Sequence, residues 1–178
     1  MSEIQTGTNG SALEALRARL ASRVGGVLES VAAEHGVSLR TVIGCLPEEL
    51  WSEAGGEHFC EVMAEVAAWG PVRLIVHTED GVFEFSGPLP AGTLGHGFFN
   101  LQGAGALSGH LRAERCRSIV FLRRPFMGKQ TASIQFFNAA GGAMFKLFVG
   151  RDDAGELCAD QLARFDALER RLAARAPA

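Results

Sequence analysis

Residues 118–149 read SIVFLRRPFMGKQTASIQFFNAAGGAMFKLFV. Three apolar, β-branched and aromatic runs stand out: Ser118–Arg124, Thr131–Asn138 and Ala143–Val149. Turn residues divide them at Phe126–Lys129 and Ala140–Gly142. Links this short join antiparallel neighbours, because a parallel crossover needs a dozen residues or more. Upstream, the period of two continues in Val72–Thr78, Val82–Ser86, His96–Leu101 and Leu107–Ala113. The breaks between them fall at Glu79–Gly81, Pro88–Pro90 and Gly103–Gly105. The fold expected is therefore α+β: a large antiparallel β-sheet of about seven or more strands, with helices at both ends.

Before Pro71 the period is helical. Residues 1–10 are expected to be a disordered tail, and Ser11 with Glu14 has the form of a capping box. Leu13, Leu16, Leu20, Val24, Leu28 and Val31 follow at helical spacing, and Gly25-Gly26 is expected to split that run. Gly36 suits a left-handed cap and Ser38 the start of a helix over Leu39–Leu46. Pro47 predicts a third short helix reaching Trp51. Another helix is expected over Glu57–Ala68, with Phe59, Val62, Met63 and Val66 inward and His58 solvated. The last is expected over Gly155–Ala174. Residues 11–178 thus read as one domain: 11–69 helical, 70–150 sheet, 154–174 the C-terminal helix.

Several functions are disfavoured at once. The net charge of -3 argues against general nucleic-acid affinity. Residues 27–46 have the outline of a helix-turn-helix, but the would-be reading helix offers Arg40 and then mostly apolar or acidic residues, so a packed helical hairpin is expected instead. No apolar run reaches a membrane-spanning length. No secretory signal pattern is visible, so a cytoplasmic protein with reduced thiols is expected. The four cysteines, Cys45, Cys60, Cys116 and Cys158, are scattered without the close pairs of a structural zinc site. Nucleophile elbows, phosphate-binding loops and the covalent haem motif C-x-x-C-H are absent.

His77, His96 and His110 are three of the five histidines, and tyrosine is absent. Strand alternation puts His77 on the face of Arg73 and Ile75, and His110 on the face of Ser108 and Arg112. Either pair of faces can display a ligand or acid–base group, or simply be solvated. His96 lies between Gly95 and Gly97, where a ligand, another backbone or only a bulge can be accommodated. Arg112, Arg115, Arg117, Arg123, Arg124 and Lys129 form a basic cluster suited to carboxylates or to guarding a strand edge. Imidazoles, apolar rings and cations together suit haem, whose iron takes His, Cys, Met or Tyr ligands.

Four stretches carry a family resemblance: WGPVRLIVHTED, LGHGFFNLQG, LSGHLRAERC and FLRRPFMGKQTASIQFFNAAGGAMFKLFVGRDD. They resemble the intracellular haem utilisation carriers of the HutX/ChuX type across residues 25–170. The resemblance implies one half of the larger two-half haem-handling proteins, pairing as a homodimer. It implies that haem is bound in the cytoplasm and passed on, often to a haem-degrading recipient. The haem-linked histidines of the family match His77 in VHTED and His110 in LSGH, which makes these the expected iron ligands, with His96 in reserve. Relatives often read HGYFN where this chain has HGFFN, so Phe98 removes a phenolate that is a candidate iron ligand in some of them. A haem-degrading, oxygenase-like enzyme and a regulatory or scaffold protein are the competing classes.

Overall fold

The alternation of residues 118–149 becomes the middle of a six-stranded antiparallel sheet. The computed structural model describes residues 4–173, apart from 104 and 106. The helices are α1 (Ile4–Ser22), α2 (Leu28–His35), α3 (Leu39–Gly44), α4 (Phe59–Ala67) and α5 (Ala159–Leu172). The strands are β1 (Trp51–Gly55), β2 (Pro71–His77), β3 (Val82–Pro88), β4 (Gly92–Gly95), β5 (Phe98–Leu101), β6 (Gly109–Leu111), β7 (Cys116–Phe126), β8 (Lys129–Asn138) and β9 (Ala143–Phe148). They form a six-stranded sheet in the order β1-β7-β8-β9-β2-β3 and a three-stranded sheet in the order β4-β5-β6. The single large sheet expected from sequence is thus two sheets.

Each face of the six-stranded sheet has its own cover. Ile119, Phe121, Ile134, Phe136, Phe145 and Leu147 pack against α4, α5 and the inner face of the three-stranded sheet. Phe59 of α4 meets the edges of Phe99, Phe136 and Phe145 at centroid distances of 5.6, 5.2 and 6.0 Å, and Phe136 stacks on Phe145 at 4.3 Å. Such pairs add specificity beyond the area they bury. On the opposite face Val120, Leu122 and Phe137 lie under Leu16, Leu20, Leu28, Val31, Val42 and Ile43 of α1–α3.

The helical hairpin forms as expected. Gly36 is left-handed at φ 61, and the Ser38 side chain accepts from Thr41 N at 3.1 Å. The amide of Arg40 donates to Gly141 O at 3.0 Å, which ties α3 to the β8–β9 turn. Leu39, Val42 and Ile43 of the six-residue α3 are buried, so this helix covers the sheet.

Other boundaries differ. α1 begins at Ile4, so residues 4–10 are helix rather than tail and Ser11 is no N-cap; once a turn is nucleated, adding residues to it is inexpensive. Residues 1–3 of the expected tail lie outside the described residues. Gly25-Gly26 separates α1 from α2 as anticipated. The helix expected to reach Trp51 is only a 3-10 turn at Glu48–Leu50, and Trp51 opens β1 against β7. β4 was not anticipated. His96 and Gly97 lie outside any strand, with φ of 53 and 80, and form the two-residue turn of the β4–β5 hairpin. Two positive φ values suit the right-handed twist of the flanking strands. α5 starts at Ala159 rather than Gly155, because Gly155 at φ 79 closes a turn onto Asp152 and Arg151 bridges to Leu157. Residue 174 of that expected helix lies outside the described residues.

Candidate functional site

The outer face of the three-stranded sheet is built by simple alternation. Phe99 and Leu101 turn into the core, so Phe98 and Asn100 turn outward. In the β5–β6 register Asn100 pairs with His110. His110 Nδ1 and Asn100 Oδ1 are 2.6 Å apart. The Phe98 ring meets the imidazole edge-on at 5.9 Å, and the Arg112 guanidinium lies over Phe98 at 4.7 Å. One face therefore gathers an exposed imidazole, a flat apolar ring and a cation.

His77 ends β2. Val72, Leu74 and Val76 pack toward α4, so Arg73, Ile75 and His77 face the side of α1–α3. His77 Nδ1 lies 3.2 Å from Glu29 Oε1 on α2. The Lys146 ammonium, on a side chain almost wholly buried, also bonds Glu29. Burial pushes the Glu29 carboxyl up, but the charge and hydrogen bond of Lys146, its own backbone amide and His77 more than offset this, and the group lies below the usual range.

The two histidines therefore occupy opposite sides of the six-stranded sheet. Packed sheets stand about 10 Å apart, and the His110 side chain points away from the layer beneath it. One chain does not bring His77 and His110 to a single iron. His96 lies exposed on the β4–β5 turn.

Two of the expected cations are already engaged. Arg123 is held by Asp166 and by Glu169 at 2.6 Å, with the Phe165 ring 4.6 Å beneath it. Arg124 donates to Val24 O and Gly26 O at 2.7 and 2.8 Å, and its burial lowers its pKa. Both serve packing. Arg112 is the member of the cluster that stands beside a histidine. A cavity of about 850 Å³ lies between the β7–β8 hairpin and β2–β3, among Arg73, Ile75, Phe126, Met127, Lys129 and Phe148. Another of about 530 Å³ lies among Phe59, Cys60, Phe98 and Arg117. His77, His96 and His110 line neither cavity. Among the described residues no group of three or more His, Cys, Asp or Glu side chains forms a metal cage. Sequence reasoning missed Asn100 and Glu29, the direct partners of the two histidines; the only signal was Asn100 in an otherwise apolar FFNL run.

The family model described as haem utilisation ChuX/HutX matches residues 53–168. The chain belongs to this family. It is 34% identical over 141 residues to the intracellular heme transport protein HutX of Vibrio cholerae, covering 79% of this chain and 73% of that protein. The structure of the heme binding protein ChuX superposes with a TM-score of 0.80 at 42% identity, covering 88% of this chain and 97% of that one. At the level of fold alone, holo-PhuS, a heme-binding protein from Pseudomonas aeruginosa, matches with a TM-score of 0.71 at 16% identity. That match covers 87% of this chain but 45% of PhuS, so the fold is that of one half of the longer protein. None of the described helices is long and apolar enough to cross a membrane.

Proposed function

We propose that this chain is an intracellular haem carrier that receives haem in the cytoplasm and hands it to a downstream protein. Family membership supports this, and the observation that carries the site is the outer face of β5–β6. There His110 presents an imidazole beside the Phe98 ring and the Arg112 guanidinium. Iron accepts imidazole, the porphyrin plane accepts flat apolar contact, and a propionate accepts an arginine. Haem is cargo here rather than a resident cofactor, so imidazole ligation at an open surface suits a protein that must release it.

His77 is the second ligand of the proposal. It faces away from His110, so an iron held by both takes His77 from one copy and His110 from another. This is the reading under which a homodimer acquires a function. His96 is a reserve ligand on the β4–β5 turn. Haem degradation is the alternative activity, and a haem-degrading enzyme is the proposed recipient of the cargo.

The test is a haem titration followed at the Soret band with wild type, His77→Ala, His110→Ala and His96→Asn. His110→Ala and His77→Ala are each expected to change the spectrum of the two-imidazole complex, and His96→Asn to keep it. Wild-type spectrum and affinity in all three variants would sink the site assignment. Incubation of the haem complex with ascorbate is expected to leave the porphyrin intact; stoichiometric biliverdin would replace the carrier reading with the enzymatic one.

A further inference from the structure

We infer that Asn100 is a positioning residue that sets the tautomer of His110 and so aims its free lone pair away from the sheet. The inference rests on the reading that His110 meets haem. Asn100 Nδ2 lies 3.0 Å from Gly95 O, 3.2 Å from Phe98 O and 3.3 Å from Thr93 O. Three carbonyl oxygens around one amide corner leave no choice of orientation, because a flipped amide would turn its own oxygen onto them. Oδ1 must then face His110, whose Nδ1 is 2.6 Å away. An amide oxygen only accepts, so Nδ1 must carry the proton. In the neutral ring the lone pair is left on Nε2, the ring nitrogen on the far side from Asn100.

The hairpin makes this arrangement possible. Gly95 and Phe98 flank the His96-Gly97 turn, so two of the three carbonyls that hold the Asn100 amide close that turn, and the third, Thr93 O, lies on β4. A hydrogen bond to the rear nitrogen of a metal-bound imidazole fixes ring orientation and raises ligand basicity. Asn100 supplies that bond before any ligand arrives, so the imidazole needs neither to rotate nor to move a proton in order to coordinate.

The first measurement needs no haem. Nitrogen-15 NMR of histidine-labelled apoprotein at about pH 8.5, above the ordinary imidazole range, reads the proton's place directly. The wild type is expected to show His110 protonated at Nδ1 and bare at Nε2. In Asn100→Leu, close in shape but without an acceptor, both nitrogens are expected to share the proton, with thermal unfolding showing the same cooperative transition. A wild-type proton on Nε2, or an unchanged pattern in the variant, overturns the inference. In the haem titration Asn100→Leu is expected to weaken binding about 10- to 100-fold, the range for loss of such a partner, while keeping an imidazole-type spectrum. An affinity equal to wild type overturns a role in haem binding. If His110→Ala binds haem as the wild type does, the haem reading of this face fails, and the apoprotein tautomer stays as a separate fact. If His110→Ala abolishes binding but the proton is on Nε2, the positioning role fails alone.

Discussion

Lys146→Met tests the charge cluster beneath α2. Lys146 is 8% exposed, and its ammonium sits on the carboxylate of Glu29, which also lies 3.2 Å from His77 Nδ1. Methionine keeps the length and apolar stem of the side chain, so the packing on β9 changes little. What is lost is the counter-charge of a carboxylate that is itself largely withdrawn from water. Breaking a buried pair from one side costs about 3–5 kcal/mol. Glu29 keeps a side-chain exposure of 24% and its contact with His77, which places the cost at the lower end, about 3 kcal/mol. For a domain of this size each kcal/mol moves Tm by about 2–4 °C, so the expected fall is about 6–12 °C. The measurement is thermal and urea unfolding by circular dichroism at neutral pH, with an unchanged urea slope showing that only stability has moved. Glu29→Gln combined with Lys146→Met removes both charges and is expected to recover most of the loss, since a neutral pair carries no stranded charge. The reasoning is refuted if Lys146→Met unfolds within about 0.5 kcal/mol of wild type, the scatter of ordinary surface substitutions. A double variant less stable than the single one refutes it equally.

Two further outcomes follow from other parts of the molecule. Glu29 and Glu53 both titrate below the usual glutamate range, Glu53 because the hydrogen bond from Arg40, 2.5 Å at its shorter arm, outweighs burial. A carboxylate with a lower pKa in the folded chain adds stability that is complete above the unfolded value, about 4.3, and lost as pH falls through the folded one. The urea midpoint should therefore hold through mildly acidic pH and drop below about pH 4, and a midpoint flat through that region counts against both pairs. In Gly56→Ala the new methyl would run into the Cys116 carbonyl of β7, a backbone atom that cannot step aside. The expected loss is about 1–3 kcal/mol, whereas Gly26→Ala, with open space around it, should unfold like wild type.

The long strands were legible because their alternation serves two different cores. Phe121 and Phe136 face one cover while Val120 and Phe137 face the other, so both parities are apolar and the runs are unmistakable. β1 was not legible. WSEAG follows a proline and two glutamates and reads as the end of a helix; only its pairing with Ser118–Leu122 makes it a strand. Short edge strands take their conformation from a partner distant in sequence. The division into two sheets was hidden for a related reason, since period-two spacing does not say which sheet a strand joins. The histidines show the same limit. Alternation correctly placed His77 with Ile75 on β2, and His110 on the same side as Arg112, which follows β6. It could not tell that those strands belong to different layers with their polar sides turned apart. Asn100 went unnoticed because its role depends on three carbonyls of the β4–β5 hairpin, whose geometry the chemical formula does not display.

The β4–β5 turn bears on how a histidine should be interpreted. His96 holds φ 53 and Gly97 φ 80, a backbone state that asparagine, aspartate and histidine tolerate better than most residues. Position 96 therefore filters its occupant by backbone before any question of ligands arises. Alanine there would strain the same turn whose carbonyls grip Asn100, and a weakened variant would be mistaken for a lost iron ligand. Asparagine keeps the turn and removes only the imidazole. A variant series in this family is interpretable at such a corner only if the replacement is chosen for its φ first and for its chemistry second.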